Sequence, residues 1–335
     1  MRDLRESIRI DEFERNDWGY GPRPDDPCVC GSGRRARSCH RAADLSWVAN
    51  PLPPLLTDER TGYAHPSCYG NVSNDCSRDL SREHYITEDI LEQIRHEDTG
   101  VTIGGTTWVP RGEARTVGVG ALASRILCRR HNNALSPLDK IASHFFRALV
   151  ADQLSLVADY GPDGEFPCSF TLVHGQAIEL WLLKVIWGVL STETMPLADG
   201  SPAYRFGLRY PRSQLAEILW RGEPWPSGAG MYLAPPRTTA EGVKTRSIAV
   251  RVLQDGPECF GGIVRCAGIE FAVLLERPAN RAIYRPAAIH FDRAGFQNWK
   301  ALGFAWPEMG HLPWRFSSQL ARGEDVHTPP WQRDR

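Results

Sequence analysis

Ile126-Leu127-Cys128-Arg129-Arg130-His131-Asn132-Asn133-Ala134-Leu135 is the stretch from which the rest of this 335-residue chain is read. A Cys-x-x-His knuckle places a thiol and an imidazole within reach of one ion, and when it runs into a helix it is a recurrent half of a zinc site. The residues downstream predict that helix: Leu138, Ile141, Phe145, Phe146 and Leu149 fall at three-and-four spacing, which puts them on one face. The other half of the site is expected upstream, where Cys68 and Cys76 offer two further thiolates. The competing reading is a set of unconnected core thiols.

A second set lies nearer the start, in Pro27-Cys28-Val29-Cys30-Gly31-Ser32-Gly33 followed by Arg34-Arg35-Ala36-Arg37-Ser38-Cys39-His40. Two thiolates two positions apart meet one ion if the chain turns sharply after them. Gly31-Ser32-Gly33 supplies that turn, because glycine tolerates positive φ. Cys39 and His40 then complete a tetrahedral shell of three sulfurs and one nitrogen, a common structural zinc environment. Short segments so poor in apolar residues rarely fold without a metal staple. Arg34, Arg35, Arg37 and Arg41 are expected to make the surface of this knuckle basic.

Cys-x-Cys-Gly-Ser-Gly followed by the Cys-His pair resembles the SEC-C zinc motif, found at the C-terminus of the preprotein translocase motor ATPase and in many bacterial proteins. The resemblance covers residues 27–41. It implies zinc on Cys28, Cys30, Cys39 and His40 and docking to a protein partner. Glu83-His84-Tyr85-Ile86, followed by Leu127-Cys128-x-x-His131-Asn132-Asn133-x-Leu135-x-x-Leu138-Asp139, resembles the HNH endonuclease family in its treble-clef, ββα-metal form. That resemblance covers Ala64 to Leu149. It implies that His84 is the general base that takes a proton from water, while Glu83 and Asn132 hold Mg2+ or Mn2+ against a scissile phosphate of DNA or RNA. Two departures are visible. The first knuckle is Cys-x7-Cys where the family has Cys-x-x-Cys, and no Asn lies between Gly100 and Leu127 to orient the histidine, a task a backbone carbonyl could take over.

Outside these motifs the chain reads as α+β. Ile178, Trp181, Leu182, Val185, Ile186 and Val189 mark an apolar helix, Leu215, Ile218 and Leu219 a shorter one, and Ser247–Leu253 and Ile269–Leu275 look like strands. The expected divisions are an N-terminal arm with the SEC-C-like motif (1–49), a Pro-rich linker (50–63), an HNH-like treble clef (64–150), an α+β domain (151–321) and a polar tail (322–335). Cys168, Cys259 and Cys266 are expected as buried thiols, Trp181, Trp187, Trp220 and Trp225 as core, and His174 as a capping or surface histidine.

A formal net charge of -1, with 39 Lys plus Arg against 40 Asp plus Glu, excludes binding of nucleic acid or anionic membrane by bulk charge, so any nucleic-acid contact is a local patch. The longest apolar run, Ile178 to Leu190, is interrupted by Glu179 and Lys184 and falls short of the ~20 residues of a membrane span. The first thirty residues lack the apolar stretch of a secretory leader, so a cytoplasmic location is expected and the nine cysteines are expected as thiols or metal ligands. Two functions fit. One is a metal-dependent HNH-type endonuclease with a docking knuckle, and the other is a non-catalytic two-zinc adaptor that binds protein or nucleic acid.

Overall fold

Strand β1 (Leu80–Glu83) and strand β4 (Ser124–Cys128) pair antiparallel, with Leu80 opposite Cys128, Ser81 opposite Leu127 and Glu83 opposite Ser124. A bulge sets Arg82 opposite two residues of β4, Arg125 and Ile126, while alternation along β1 buries Glu83 and exposes Arg82 beside it. Cys128 ends β4, and the next residue opens the long helix α2 (Arg129–Val157), whose Leu138, Ile141, Phe145, Phe146 and Leu149 are all buried. Between β1 and β4 the chain forms helix α1 (Glu88–Ile94) and a hairpin of β2 (Val101–Gly104) and β3 (Ala114–Val117). Leu91, Val101 and Val119 form the small core beneath them.

These positions come from a computed structural model that describes residues 24–28, 30–43, 48–95, 100–104, 109–110, 113–157, 169–191, 207–233, 247–278, 283–292 and 299–309. The expected N-terminal arm before residue 24, Cys168 and the tail 322–335 lie outside the described residues. Two compact units emerge. One draws on Pro53–Ser143 and Glu179–Tyr284, the other on Met1–Leu52, His144–Ile178 and Arg285–Arg335.

The first of these contains the β1–β4 pair and a six-stranded sheet. In that sheet β11 (Ile283–Tyr284), β7 (Gly230–Leu233), β10 (Ile269–Leu274), β9 (Glu258–Cys266) and β6 (Gly207–Leu208) follow in order, and β8 (Ile248–Asp255) also pairs with β9. The β9–β10 hairpin closes on Ala267 and Gly268, with φ of 47° and 86°, and the two positive values match a two-residue primed turn. Helix α3 (Gly175–Ser191) contributes Glu179, whose Oε1 accepts the Met231 amide at 2.7 Å, and Ile186, against which Gly262 approaches too closely to carry a Cβ. Trp187 and Trp220 are buried and meet Tyr69 with ring centroids 5.1 and 5.9 Å away. The shorter helix predicted around Leu215 is α4 (Arg212–Ala216), which continues into one wider turn over Glu217–Arg221.

The other unit holds a three-stranded sheet. β5 (Ser169–His174) runs parallel to β13 (Trp299–Ala305), which pairs antiparallel with β12 (Ala288–Asp292). Where β5 passes into α3, a Cβ on Gly175 would come within 2.6 Å of the Trp306 ring, so only glycine fits.

Residues 50–63 form no helix or strand, yet they are packed. Pro51, Pro53 and Pro54 are exposed, whereas Leu52 and Leu56 are buried. The Leu52 amide donates to Gln176 Oε1 at 2.8 Å, and the Leu56 amide to the Trp220 carbonyl at 2.9 Å.

Trp187 combines a large buried ring with an indole N–H that meets no acceptor among the described residues. Trp187→Ala is expected to cost about 3–5 kcal/mol in a chemical denaturation experiment. Trp187→Phe removes the orphan N–H as well as ring area, so its cost should be well under half of that.

Candidate metal centres

Sulfurs of Cys68, Cys76 and Cys128 converge on one nitrogen. Nδ1 of His131 lies 3.4 Å from Sγ of Cys68, 3.8 Å from that of Cys76 and 3.3 Å from that of Cys128, and all four donor atoms lie within 4.8 Å of one another. Ligands around a tetrahedral zinc sit about 3.6–3.8 Å apart, from Zn–S near 2.3 Å and Zn–N near 2.0–2.1 Å. The set fits that ion. Its supports are equally specific: His131 Nε2 faces Ser73 Oγ at 3.2 Å, and that hydroxyl donates to the Gly70 carbonyl at 2.8 Å. The hydroxyl therefore accepts from Nε2–H, which leaves Nδ1 with the lone pair a metal needs. The Ser77 amide donates to Cys128 Sγ at 3.4 Å, and the Trp220 ring packs 4.4 Å from the His131 ring. The seven-residue gap between Cys68 and Cys76 is spanned by a short 3-10 turn, Asn71–Ser73, and a left-handed Asn74 with φ of 51°.

The N-terminal set is equally tight. Nδ1 of His40 lies 3.3 Å from Cys28 Sγ and 3.2 Å from Cys39 Sγ, while the sulfurs of Cys30 and Cys39 are 3.4 Å apart. Gly31 and Gly33 take φ of 77° and 72°, the turn that the sequence required. A Cβ on Gly31 would also press within 2.8 Å of the His144 side chain. Ser32 Oγ lies 3.2 Å from the sulfur of Cys30 and 3.4 Å from that of Cys39. Hydrogen bonding from Cys28 and Cys30 holds the Cys39 thiol far below its ordinary range, and Cys68 does the same for Cys128. Cys28 and Cys68 rise in exchange.

Two expectations about this region need correction. Arg41 is buried, and Arg34 donates to the Ser38 and Pro51 carbonyls, so the exposed charge comes from Arg35 and Arg37, both paired with Asp25. His174 is neither a cap nor a surface residue. It is fully buried, edge-on to His40 with ring centroids 5.1 Å apart, because it closes the strand beneath the knuckle.

The three residues that the HNH resemblance singles out meet different fates. His84 is half-buried just after β1, and its Nε2 contacts the Val119 carbonyl at 3.2 Å, so a backbone oxygen stands where no Asn is available. Asn132 lies on the first turn of α2 with Nδ2 3.5 Å from the Arg82 carbonyl. Glu83 points the other way. Its Oε1 lies 2.7 Å from Nζ of Lys184, a residue absent from the sequence-based site, and the two side chains are 4% and 1% exposed. Lys184 also donates to Asp139 Oδ1 at 2.7 Å and to the His84 carbonyl at 3.1 Å. Thr87 Oγ1 donates to the same Asp139 oxygen at 2.7 Å and accepts from Trp181 Nε1 at 2.8 Å. Burial pushes the Glu83 carboxyl up to about 7 against the pull of Lys184. Burial also disfavours the Lys184 ammonium, but Asp139 and Glu83 outweigh it and hold its pKa above the ordinary value. The sequence did carry a signal for this network. A lysine and a glutamate inside an apolar helix face are almost never buried without partners.

No protein-family model, no curated protein and no solved structure matches the chain. Among the described residues, no helix is long and apolar enough to cross a membrane. The chain has a mixed helix and strand architecture with two buried Cys/His sets able to hold metal ions.

Ser73→Ala removes the group that fixes the His131 tautomer, and it should weaken metal binding at that set by about 10–100-fold while leaving the N-terminal set unchanged. Competition against a chromophoric zinc chelator reads both sites in one titration. Equal affinities in the variant and the wild type would refute the role given to Ser73.

A pH effect arises from His144, whose pKa is lowered from its ordinary 6.5 to about 4 by burial and then by Arg147. Between those values the unfolded chain binds the extra proton, so stability is fully present above about 6.5 and falls as pH drops toward about 4. The slope reaches about 1.4 kcal/mol per pH unit for this one group. Denaturation across that window should show a shallower pH dependence for His144→Asn than for the wild type.

Proposed function

We propose that this protein is a non-catalytic, zinc-stapled binding protein that uses its clef to dock nucleic acid without hydrolysing it. One observation carries the reading. The Glu83 carboxylate, which hydrolysis through a hard cation would require, is committed to the buried ammonium of Lys184 at 2.7 Å. Zinc on Cys68, Cys76, Cys128 and His131, and on Cys28, Cys30, Cys39 and His40, would supply folding energy, because the ligands converge only in the folded chain. Neither set offers an open position, since each presents four protein ligands. The nucleic-acid side of the proposal rests on the face around β1 and β4. Arg78, Arg82 and Arg125 are exposed there beside Arg129, which pairs with Asp79, and together they make a local excess of positive charge on a chain with almost no net charge. The N-terminal knuckle, with its SEC-C-like spacing, would serve a protein partner.

The orientation of His84 favours a second reading, HNH-type hydrolysis. A carbonyl acceptor at Nε2 leaves Nδ1 as the basic nitrogen, and Nδ1 lies 3.9 Å from Glu88 Oε2. In that reading Mg2+ or Mn2+ would supply charge neutralisation at the phosphate, with Asn132 as the remaining candidate to hold it.

Incubating zinc-loaded protein with plasmid DNA, single-stranded DNA and structured RNA, with Mg2+ or Mn2+ and beside His84→Ala, separates the two. The binding reading expects retarded complexes and no cleavage by either protein. It also expects Arg82→Ala and Arg125→Ala each to lower the slope of log affinity against log salt by about 0.9 on duplex DNA. Cleavage by the wild type but not by His84→Ala would establish the hydrolytic reading instead.

A further inference from the structure

Buried lysines are found where carboxylates surround them, and Lys184 is surrounded on three sides by oxygen: Glu83 Oε1 at 2.7 Å, Asp139 Oδ1 at 2.7 Å and the His84 carbonyl at 3.1 Å. Two carboxylates and a carbonyl are the donors that Ca2+, Mn2+ and Mg2+ select, at about 2.0–2.6 Å. We infer that Glu83, Asp139 and the His84 carbonyl form a cation site whose built-in occupant is the Lys184 ammonium, and that this ammonium keeps a divalent ion out of the clef. The inference deepens the non-hydrolytic reading above and rests on it.

Glu83 Oε1 and Asp139 Oδ1 each lie 2.7 Å from the ammonium, so both carboxylates meet the charge at close range from different elements. Asp139 has a side chain 24% exposed, which gives solvent and ions a way in. Its Oδ1 is held in place independently of Lys184, by Thr87, which is itself held by Trp181. The oxygens contributed by Asp139 and by the His84 main chain therefore have a framework that remains when the lysine is replaced.

Lys184→Met is the decisive variant. Methionine keeps the apolar stem and leaves empty the place of Nζ, so the buried Glu83 carboxylate and the half-buried Asp139 carboxylate face a gap the size of a cation. Truncation of one partner in a buried ion pair leaves uncompensated charge, which destabilises strongly unless another cation arrives. Zinc-loaded full-length wild type, Lys184→Met, and a triple variant that adds Glu83→Gln and Asp139→Asn would be titrated with Mn2+. Free Mn2+ is followed by electron paramagnetic resonance and the melting temperature is recorded alongside.

The expected result is that Lys184→Met binds one more equivalent of Mn2+ than the wild type and gains melting temperature from it, while the triple variant does neither. If Lys184→Met does not fold by itself, refolding with and without Mn2+ reads the same point, and soluble protein should be recovered only with the metal. Equal Mn2+ binding by wild type and Lys184→Met overturns the inference. So does Mn2+ binding that persists in the triple variant, or a Lys184→Met protein that Mn2+ neither binds nor rescues. The two readings fail separately: hydrolysis by the wild type sinks the non-hydrolytic reading, whereas an inactive wild type with an indifferent Lys184→Met sinks only the caged-cation inference.

Discussion

Three sulfurs and an imidazole confined within 4.8 Å of one another, out of solvent, cannot ionise together as thiolates unless something positive sits among them. Both Cys/His sets in this chain impose that constraint. The displaced thiol pKa values express it: in each set one thiol is driven toward the thiolate and a neighbour is driven away from it, because adjacent sulfurs cannot all carry charge. A divalent cation with a preference for sulfur and imidazole resolves the conflict for all four ligands at once. The surrounding features then have a common logic. Ser73 sets the His131 tautomer, the Ser77 amide points at a sulfur, and Ser32 sits beside two sulfurs in the N-terminal knuckle.

A different problem, met by a different cation, arises at the end of β1. Glu83 lies on the buried face of β1, and a carboxylate taken out of water needs a compensating charge at close range. Lys184 provides it from the α3 segment of the same unit, and Asp139 makes the arrangement a triad. Soft ligands gather in the sulfur sets, while the Glu83 and Asp139 oxygens gather around an ammonium. His84 retains an oriented ring beside this triad, and its main-chain carbonyl accepts from Lys184. Local geometry compatible with proton transfer and a carboxylate withdrawn from the surface thus coexist within two adjacent residues.

Much of this is legible in the sequence, for reasons specific to each element. Cys128-x-x-His131 and the Gly31-Ser32-Gly33 turn are short-range patterns whose geometry depends on few neighbours. The apolar spacing of Leu138 to Leu149 and of Ile178 to Val189 fixes a helix face whatever lies opposite. Residues whose state depends on a distant partner are not legible. His174 looks like a capping or surface residue until His40 is found against it, and the Pro-rich stretch looks like a linker until the Leu52 and Leu56 amides are traced to Gln176 and Trp220. Glu83 and Lys184 are 101 positions apart, and the chain announces their meeting only as two charges, Glu179 and Lys184, interrupting an apolar run. Those interruptions argue against a membrane span. They also indicate that each charge has a buried partner, in Met231 for one and in Glu83 and Asp139 for the other.

The two sulfur sets are chemically alike but unequal in what they can do for the fold. In the N-terminal set Cys28 and His40 are separated by 12 positions, and in the other Cys68 and His131 by 63. The ratio is a little over two doublings, so closing the longer loop costs about 1.4 kcal/mol more entropy, which an ion bound there must offset. The longer closure also fastens more. It ties the loop carrying Cys68 and Cys76 to the end of β4 and the first turn of α2, and the Trp220 and Tyr69 rings pack around that junction. Buried Asp75, paired with Arg130 and Arg221, reinforces it. The N-terminal set, by contrast, organises a knuckle of little more than a dozen residues whose apolar core consists of its own three cysteines and Ala36. Loss of metal from the first set would release a local knuckle, whereas loss from the second would remove the junction on which β1, β4 and the start of α2 are assembled.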